Sequence, residues 1–184
     1  MLGVIGNRFS IGKETYHPFA AELHYFRIEK RYWSICFERI KRAGFKIIAT
    51  AVPWNVHQDN NEHFDFAGIT DPKKDLIVFL ELAREFGFKV ILRPGPWVAG
   101  QLPYGGLPKY VFTDLKFFAR DAQGQELALP DDCGVAGGYQ PSYLHKNFQF
   151  HLRSYFKAFI DFAIADEKYG YLVRQYLKRK TREF

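Results

Sequence analysis

Lys46-Ile47-Ile48-Ala49-Thr50-Ala51-Val52 is a nearly unbroken apolar run that ends abruptly in Pro53-Trp54-Asn55-Val56-His57. A strand with one wet face alternates polar and apolar residues, whereas a continuous apolar run suits a parallel strand covered on both faces. Two further runs have the same character, Phe19 to Phe26 on one side and Lys89 to Leu92 on the other. Each is followed by polar and aromatic residues, which in parallel α/β folds is where sites are built.

The segments between these runs carry a helical period. Trp33, Cys36, Phe37 and Ile40 fall on one helix face, and Gly44 supplies a stop. Leu76, Phe79, Leu80 and Ala83 repeat the pattern, with Asp71-Pro72 as a start signal and Gly87 as the end. A longer apolar stripe runs through Leu152, Phe156, Phe159, Ile160 and Ala163 and stops near Gly170. The order is β-α-β-α-β, a long loop over 113–141, then α. Such alternation predicts an α/β fold with a parallel sheet and right-handed crossovers. Three strands use the whole chain, whereas a complete (β/α)₈ barrel needs eight and about 250 residues. The expected architecture is therefore a partial TIM barrel, about its first three β/α units. An open strand edge would follow, and with it a surface for self-association.

Composition closes off several function classes. With 47% hydrophobic and 25% charged residues, disorder is not expected. The net charge of +6 could suggest a polyanion partner, but Arg174, Lys178, Arg179, Lys180 and Arg182 stand against Glu183 alone at the chain's end. The charge is thus largely a basic tail over 171–184, and no nucleic-acid partner is expected. No run approaches the roughly 20 apolar residues of a membrane span, and the N-terminus has no signal-peptide-like core. A cytoplasmic location with no membrane partner is the expectation. Cys36 and Cys133 make neither a disulfide framework nor a metal site. No glycine-rich fingerprint follows the first strand, which sets aside a Rossmann-type nucleotide binder. The chain's 18% aromatic content suits sugar-binding faces, although most such rings fill cores.

Five segments in order carry a family resemblance. They are Ala21-Glu22-Leu23-His24-Tyr25-Phe26-Arg27, Thr50-Ala51-Val52-Pro53-Trp54-Asn55-Val56-His57, Phe64-Asp65-Phe66-Ala67-Gly68, Asp75-Leu76, and the stretch from Leu92-Arg93-Pro94-Gly95-Pro96-Trp97 through Gly105-Gly106-Leu107-Pro108. Together they resemble glycoside hydrolase family 35, the β-galactosidases, whose pattern reads G-E-I-H-Y-F-R, T-Y-V-P-W-N-x-H-E, F-D-F-x-G, D-L and L-R-P-G-P-Y-x-x-A-E-W-x-x-G-G-x-P. The likeness covers roughly residues 9 to 165.

The resemblance implies a retaining glycosidase on a (β/α)₈ barrel, with no cofactor and a β-galactoside-like carbohydrate as substrate. It implies two catalytic carboxylates, one in an N-E-Y-like motif after the fourth strand and one near the seventh. Neither motif occurs here, so no catalytic residue is assigned. Asn61-Glu62 precedes the F-D-F-x-G segment, and Glu62 reads as a solvated loop residue. The expected substrate-binding residues are Trp54, Asn55, Trp97, Ala99, Gly100 and Gln101. Trp54 and Trp97 could stack on a sugar or simply pack, and Asn55 could bond a hydroxyl or cap its loop. His24 and Arg27 read as braces of the barrel, Glu22 as half of a buried pair with Arg27 or Arg93, and Gly105 and Gly106 as a tight turn.

Two departures from the pattern bear on specificity. Ala51 stands where the family has a sugar-contacting Tyr, and Gln101 and Leu102 stand for its Glu-Trp. An amide offers a sugar weaker hydrogen bonds than a carboxylate does. Three roles remain open: the front part of a glycosidase that is inactive as it stands, a non-catalytic carbohydrate-binding module, and a half-barrel completed by a partner chain.

Overall fold

The computed structural model describes residues 2–58, 63–98, 102–113, 118–128 and 140–165. The chain divides into two compact units, Met1–His57 with Asp65–Val98 and Gln58–Phe64 with Ala99–Phe184.

The first unit opens with an antiparallel three-stranded sheet of β1 (Leu2–Ile5), β2 (Arg8–Ile11) and β3 (Glu14–Tyr16). Its short strands carry no long apolar run and form no part of the expected β-α-β-α-β order. The signal lies in its turns. Ile5 pairs with Arg8 and Ile11 with Glu14, so Gly6-Asn7 and Gly12-Lys13 are two-residue hairpin loops. Each starts with a glycine at positive φ, the conformation such loops demand.

β4 (Ala21–Glu22) follows, and it is far shorter than the expected strand from Phe19 to Phe26. Phe19 is exposed, and beyond Leu23, whose N–H still reaches Ala49 O at 3.0 Å, the chain turns. Tyr25–Arg27 form a 3₁₀ turn because Tyr25 is drawn into the core, edge-on to Trp33 and against Phe79. Burying a large ring outweighs continuing a ladder of two residues.

α1 (Trp33–Arg42), β5 (Ile47–Val52), α2 (Trp54–His57), α3 (Leu76–Glu85) and β6 (Lys89–Pro94) complete the unit. β4, β5 and β6 form a parallel sheet in that order, as the apolar runs predict. Trp33 and Phe37 of α1 are fully buried with Leu76, Phe79 and Ala83 of α3, and Leu80 is nearly so. Their rings, with Phe86 and Phe88, make the core. Cys36, expected on the apolar face, is half-buried. Both helices end alike: Phe45 N–H reaches Ile40 O across Gly44, and Phe88 N–H reaches Ala83 O across Gly87. The start of α3 differs from expectation. Asp71 caps a preceding 3₁₀ turn, Pro72–Lys74, while α3 is capped by Asp75, which accepts from Val78 N–H at 3.0 Å.

The second unit contains α4 (Lys109–Thr113) and α5 (Lys146–Ala165). On α5 the fully buried residues are Phe148 and Tyr155, while of the expected stripe Ala163 is buried and Leu152, Phe156, Phe159 and Ile160 are half-buried. Gly105 and Gly106 have positive φ in a 3₁₀ turn, as the tight-turn reading requires. Within the long loop, Phe118 bridges to Pro141 and Arg120 to Glu126. Glu62, Cys133, Gly170 and the basic tail lie outside the described residues. No helix of the described residues is long and apolar enough to cross a membrane.

Candidate functional site

Three of the motif segments gather at the C-terminal ends of β4, β5 and β6. In-register pairing sets Val52 beside Pro94, and Gly95 N–H extends the ladder to Val52 O at 3.1 Å. The segments that follow the two strands, Trp54–His57 and Gly95–Val98, therefore leave one end of the sheet side by side. The Gly95–Pro96 peptide is cis.

α2 is held by a buried histidine. His57 Nδ1 lies 2.5 Å from Asp65 O, and since a carbonyl only accepts, Nδ1 carries the hydrogen. Nε2 then accepts from Tyr25 Oη, also at 2.5 Å. Asp65 N–H returns a bond to His57 O at 2.8 Å, and Phe66 stacks on the imidazole with ring centroids 4.4 Å apart. His57 is thus a structural pin rather than a free base.

The Phe64-to-Gly68 segment gains its meaning from the same contacts. Asp65 accepts from the N–H groups of Ala67, Ile69 and Thr70 and from Thr70 Oγ1, at 2.7–3.1 Å. Burial alone would raise its pKa, but these four donors outweigh that and bring it down to about 2. Leu76 N–H bonds Phe66 O at 3.0 Å, and Gly68, at φ +70°, sits against Asp75 so closely that a Cβ there would lie 2.6 Å from the Asp75 Cβ. Asp75 in turn pairs with Lys30 at 2.5 Å. These motif residues fix the loop after β5.

Of the expected binding residues, Trp54 is fully buried. A ring with no exposed face cannot stack on a sugar in this conformation, so the structure corrects the stacking reading of Trp54 to a packing one. Asn55 and Trp97 are half-buried. Ala99, Gly100 and Gln101 lie outside the described residues. His24 braces β5, its Nδ1 accepting from Ala51 N–H at 3.4 Å, while Arg27 is exposed and lies 5.8 Å from the Phe26 ring centroid. Glu22 does pair with Arg93, but the pair is not buried: the side chains are 54% and 52% exposed. The sequence reading missed this because exposure depends on what flanks β4 and β6. Among the described residues no group of three or more His, Cys, Asp or Glu could hold a metal ion.

The model of glycosyl hydrolases family 35 matches residues 8–125. The chain belongs to that family. Its curated relatives include an exo-β-D-glucosaminidase of Pyrococcus horikoshii, 34% identical over 78% of this chain and 18% of that protein. A β-galactosidase of Felis catus is 34% identical over 68% of this chain and 18% of that protein. Human β-galactosidase-1-like protein 2 is 37% identical over 59% and 16%. The family 35 chain thus spans less than a fifth of the length of these relatives. Its parallel sheet and helices fit the TIM-barrel type of α/β fold that membership implies.

Proposed function

We propose that the chain forms one wall of a family 35 glycoside hydrolase barrel and presents part of its carbohydrate site. β4, β5 and β6 are then the first three barrel strands, residues 113–141 the long loop that comes after the third of them in sequence, and 171–184 a basic tail. The observation that carries this reading is the in-register sheet that gathers three motif segments at its C-terminal ends, where barrel enzymes bind substrate. Asn55 and Trp97 are the sugar-contacting residues of this reading, Ala99, Gly100 and Gln101 of the same motif are further candidates, and Trp54 supports the wall from within. The ligand is a β-linked hexoside of the kind named in the relatives, a galactoside or a glucosaminide. Two carboxylates across the scissile bond are needed for retaining hydrolysis. The reading assigns both to polypeptide beyond these motifs, and the edge of β6 to pairing with a further strand, whether of the same polypeptide or of another copy.

The test is hydrolysis of chromogenic β-galactoside and β-glucosaminide by the 184-residue chain and by a polypeptide extended through the downstream coding sequence. Turnover by the longer polypeptide alone is expected. Turnover by the short chain that survives purification controls would mean the carboxylates are within it. Binding without turnover by both would favour a carbohydrate-binding module instead.

A further inference from the structure

Residues paired across parallel strands point to the same side of a sheet, so the face bearing Ala49 and Ala51 also bears Glu22, Ile91 and Arg93. On this face Arg93 Nη2 donates to Glu22 Oε1, and His24 Nε2 lies 3.3 Å from the same oxygen. The bond from Ala51 N–H makes His24 Nδ1 an acceptor, so Nε2 carries the hydrogen and faces Glu22. His24 is accordingly neutral, its pKa held below the ordinary value by burial and then by the charge of Arg27. Both the bond from Arg93 and the His24 contact fall on Oε1. Among the described residues, Glu22 Oε2 and the Arg93 Nε and Nη1 donors have no partner.

We propose that Glu22 and Arg93 form a hydroxyl-recognition site for a neutral β-hexoside, with His24 as its positioning residue, and that this site discriminates against amino sugars. The inference rests on the reading of this strand end as a carbohydrate site. A free carboxylate oxygen accepts one sugar O–H while an adjacent guanidinium N–H donates to a neighbouring hydroxyl oxygen, and both bonds are charge-assisted. Ala51 pairs with Arg93 and contributes only a methyl group to that face, so the exposed head groups of Glu22 and Arg93 are its polar feature. The local charge sums to zero, because Arg93 neutralises Glu22 and His24 is uncharged. An ammonium group would find its attraction to Glu22 cancelled by Arg93.

Because the pair is half-exposed, it contributes little to folding, and its substitution is readable as a change in binding. Amide NMR titrations of the 184-residue chain with methyl β-D-galactopyranoside and methyl β-D-glucosaminide test the idea. The galactoside is expected to bind more tightly. Glu22→Gln should weaken it about tenfold or more, the worth of one hydrogen bond to a charged group. Arg93→Met should reverse the order of the two sugars, since an unneutralised carboxylate attracts the ammonium; a merely structural pair would not produce that reversal. His24→Ala should weaken the galactoside, and His24→Gln, whose amide can both accept from Ala51 and donate to Glu22, should restore it. Should Glu22→Gln lose its amide dispersion, Arg93→Lys serves in its place, keeping the charge balance and the sugar order but losing affinity. Galactoside binding untouched by Glu22→Gln, or a sugar order untouched by Arg93→Met, overturns this inference alone. No binding of either sugar by the parent chain also overturns this inference, whereas the proposed function falls only if the extended polypeptide neither binds nor hydrolyses them.

Discussion

β5 and β6 carry apolar runs of the same kind and pair along all six residues, yet one is closed and the other open. No residue of β5 is exposed, whereas β6 alternates exposed and half-buried positions. β5 has a strand on each side, and β6 has one on a single side among the described residues. Composition is therefore a statement about how buried a strand can become; neighbours decide how buried it is. The exposed residues of β6, Lys89, Ile91 and Arg93, all share the face of Ala49 and Ala51, so that face is open along β6, where the polar cluster lies, and closed along β5.

The largest expected effect tests this contrast directly. Ile48 of β5 is fully buried, so Ile48→Ala should cost about 3 kcal/mol through lost transfer energy and a residual cavity. Ile91 of β6 is 49% exposed, and Ile91→Ala should cost less than about 1 kcal/mol, because much of its side chain is already in water. Urea unfolding followed by circular dichroism reads both. Equal costs would mean that the two faces are equally closed in solution.

Next in size is the loop that pins the site end of β5. Ala at Gly68 would combine a left-handed φ with a 2.6 Å approach to Asp75, and should cost about 3 kcal/mol. Gly87 has a similar φ of +84° but open space around it, so Gly87→Ala should cost only about 1 kcal/mol. If the two variants unfold at the same denaturant concentration, the close approach contributes nothing.

The same loop should give the chain an acid-sensitive step. Asp65 falls from 3.8 to about 2 on folding, so it stabilises the folded state above pH 4 and loses that contribution as pH falls toward 2. The amount is about 2 kcal/mol, and Asp65→Asn should flatten this part of the stability curve. An unchanged slope between pH 4 and 2 in that variant would assign acid sensitivity elsewhere.

Helices and central strands were legible because their signals are local. The face of Leu76, Phe79, Leu80 and Ala83 and the stops at Gly44 and Gly87 are present in any window of ten residues. β4 was misread because Tyr25 joins the core through Trp33 and Phe79, contacts that no local pattern contains. β1–β3 left only the turn signals Gly6-Asn7 and Gly12-Lys13, because strands of three or four residues are too short to show an apolar run. At the site, the positions of Asn55 and Trp97 just beyond strand ends were readable from order alone. The burial of Trp54 was not, and neither was the opening of the Glu22–Arg93 pair, because both depend on packing rather than on spacing.

The smallest expected effect is the most informative about function. Glu22→Gln removes the charge from a pair that is half in water, and exposed pairs contribute about 0–1 kcal/mol after side-chain ordering and screening. Its unfolding midpoint in urea should therefore stay close to that of the parent chain, well inside the gap opened by Ile48→Ala. The closed side of the sheet would then carry the stability and the open side could be free to carry recognition. A large loss on Glu22→Gln would reverse that division, making the pair part of what holds β4 to β6, and the open face would owe its charges to folding rather than to a ligand.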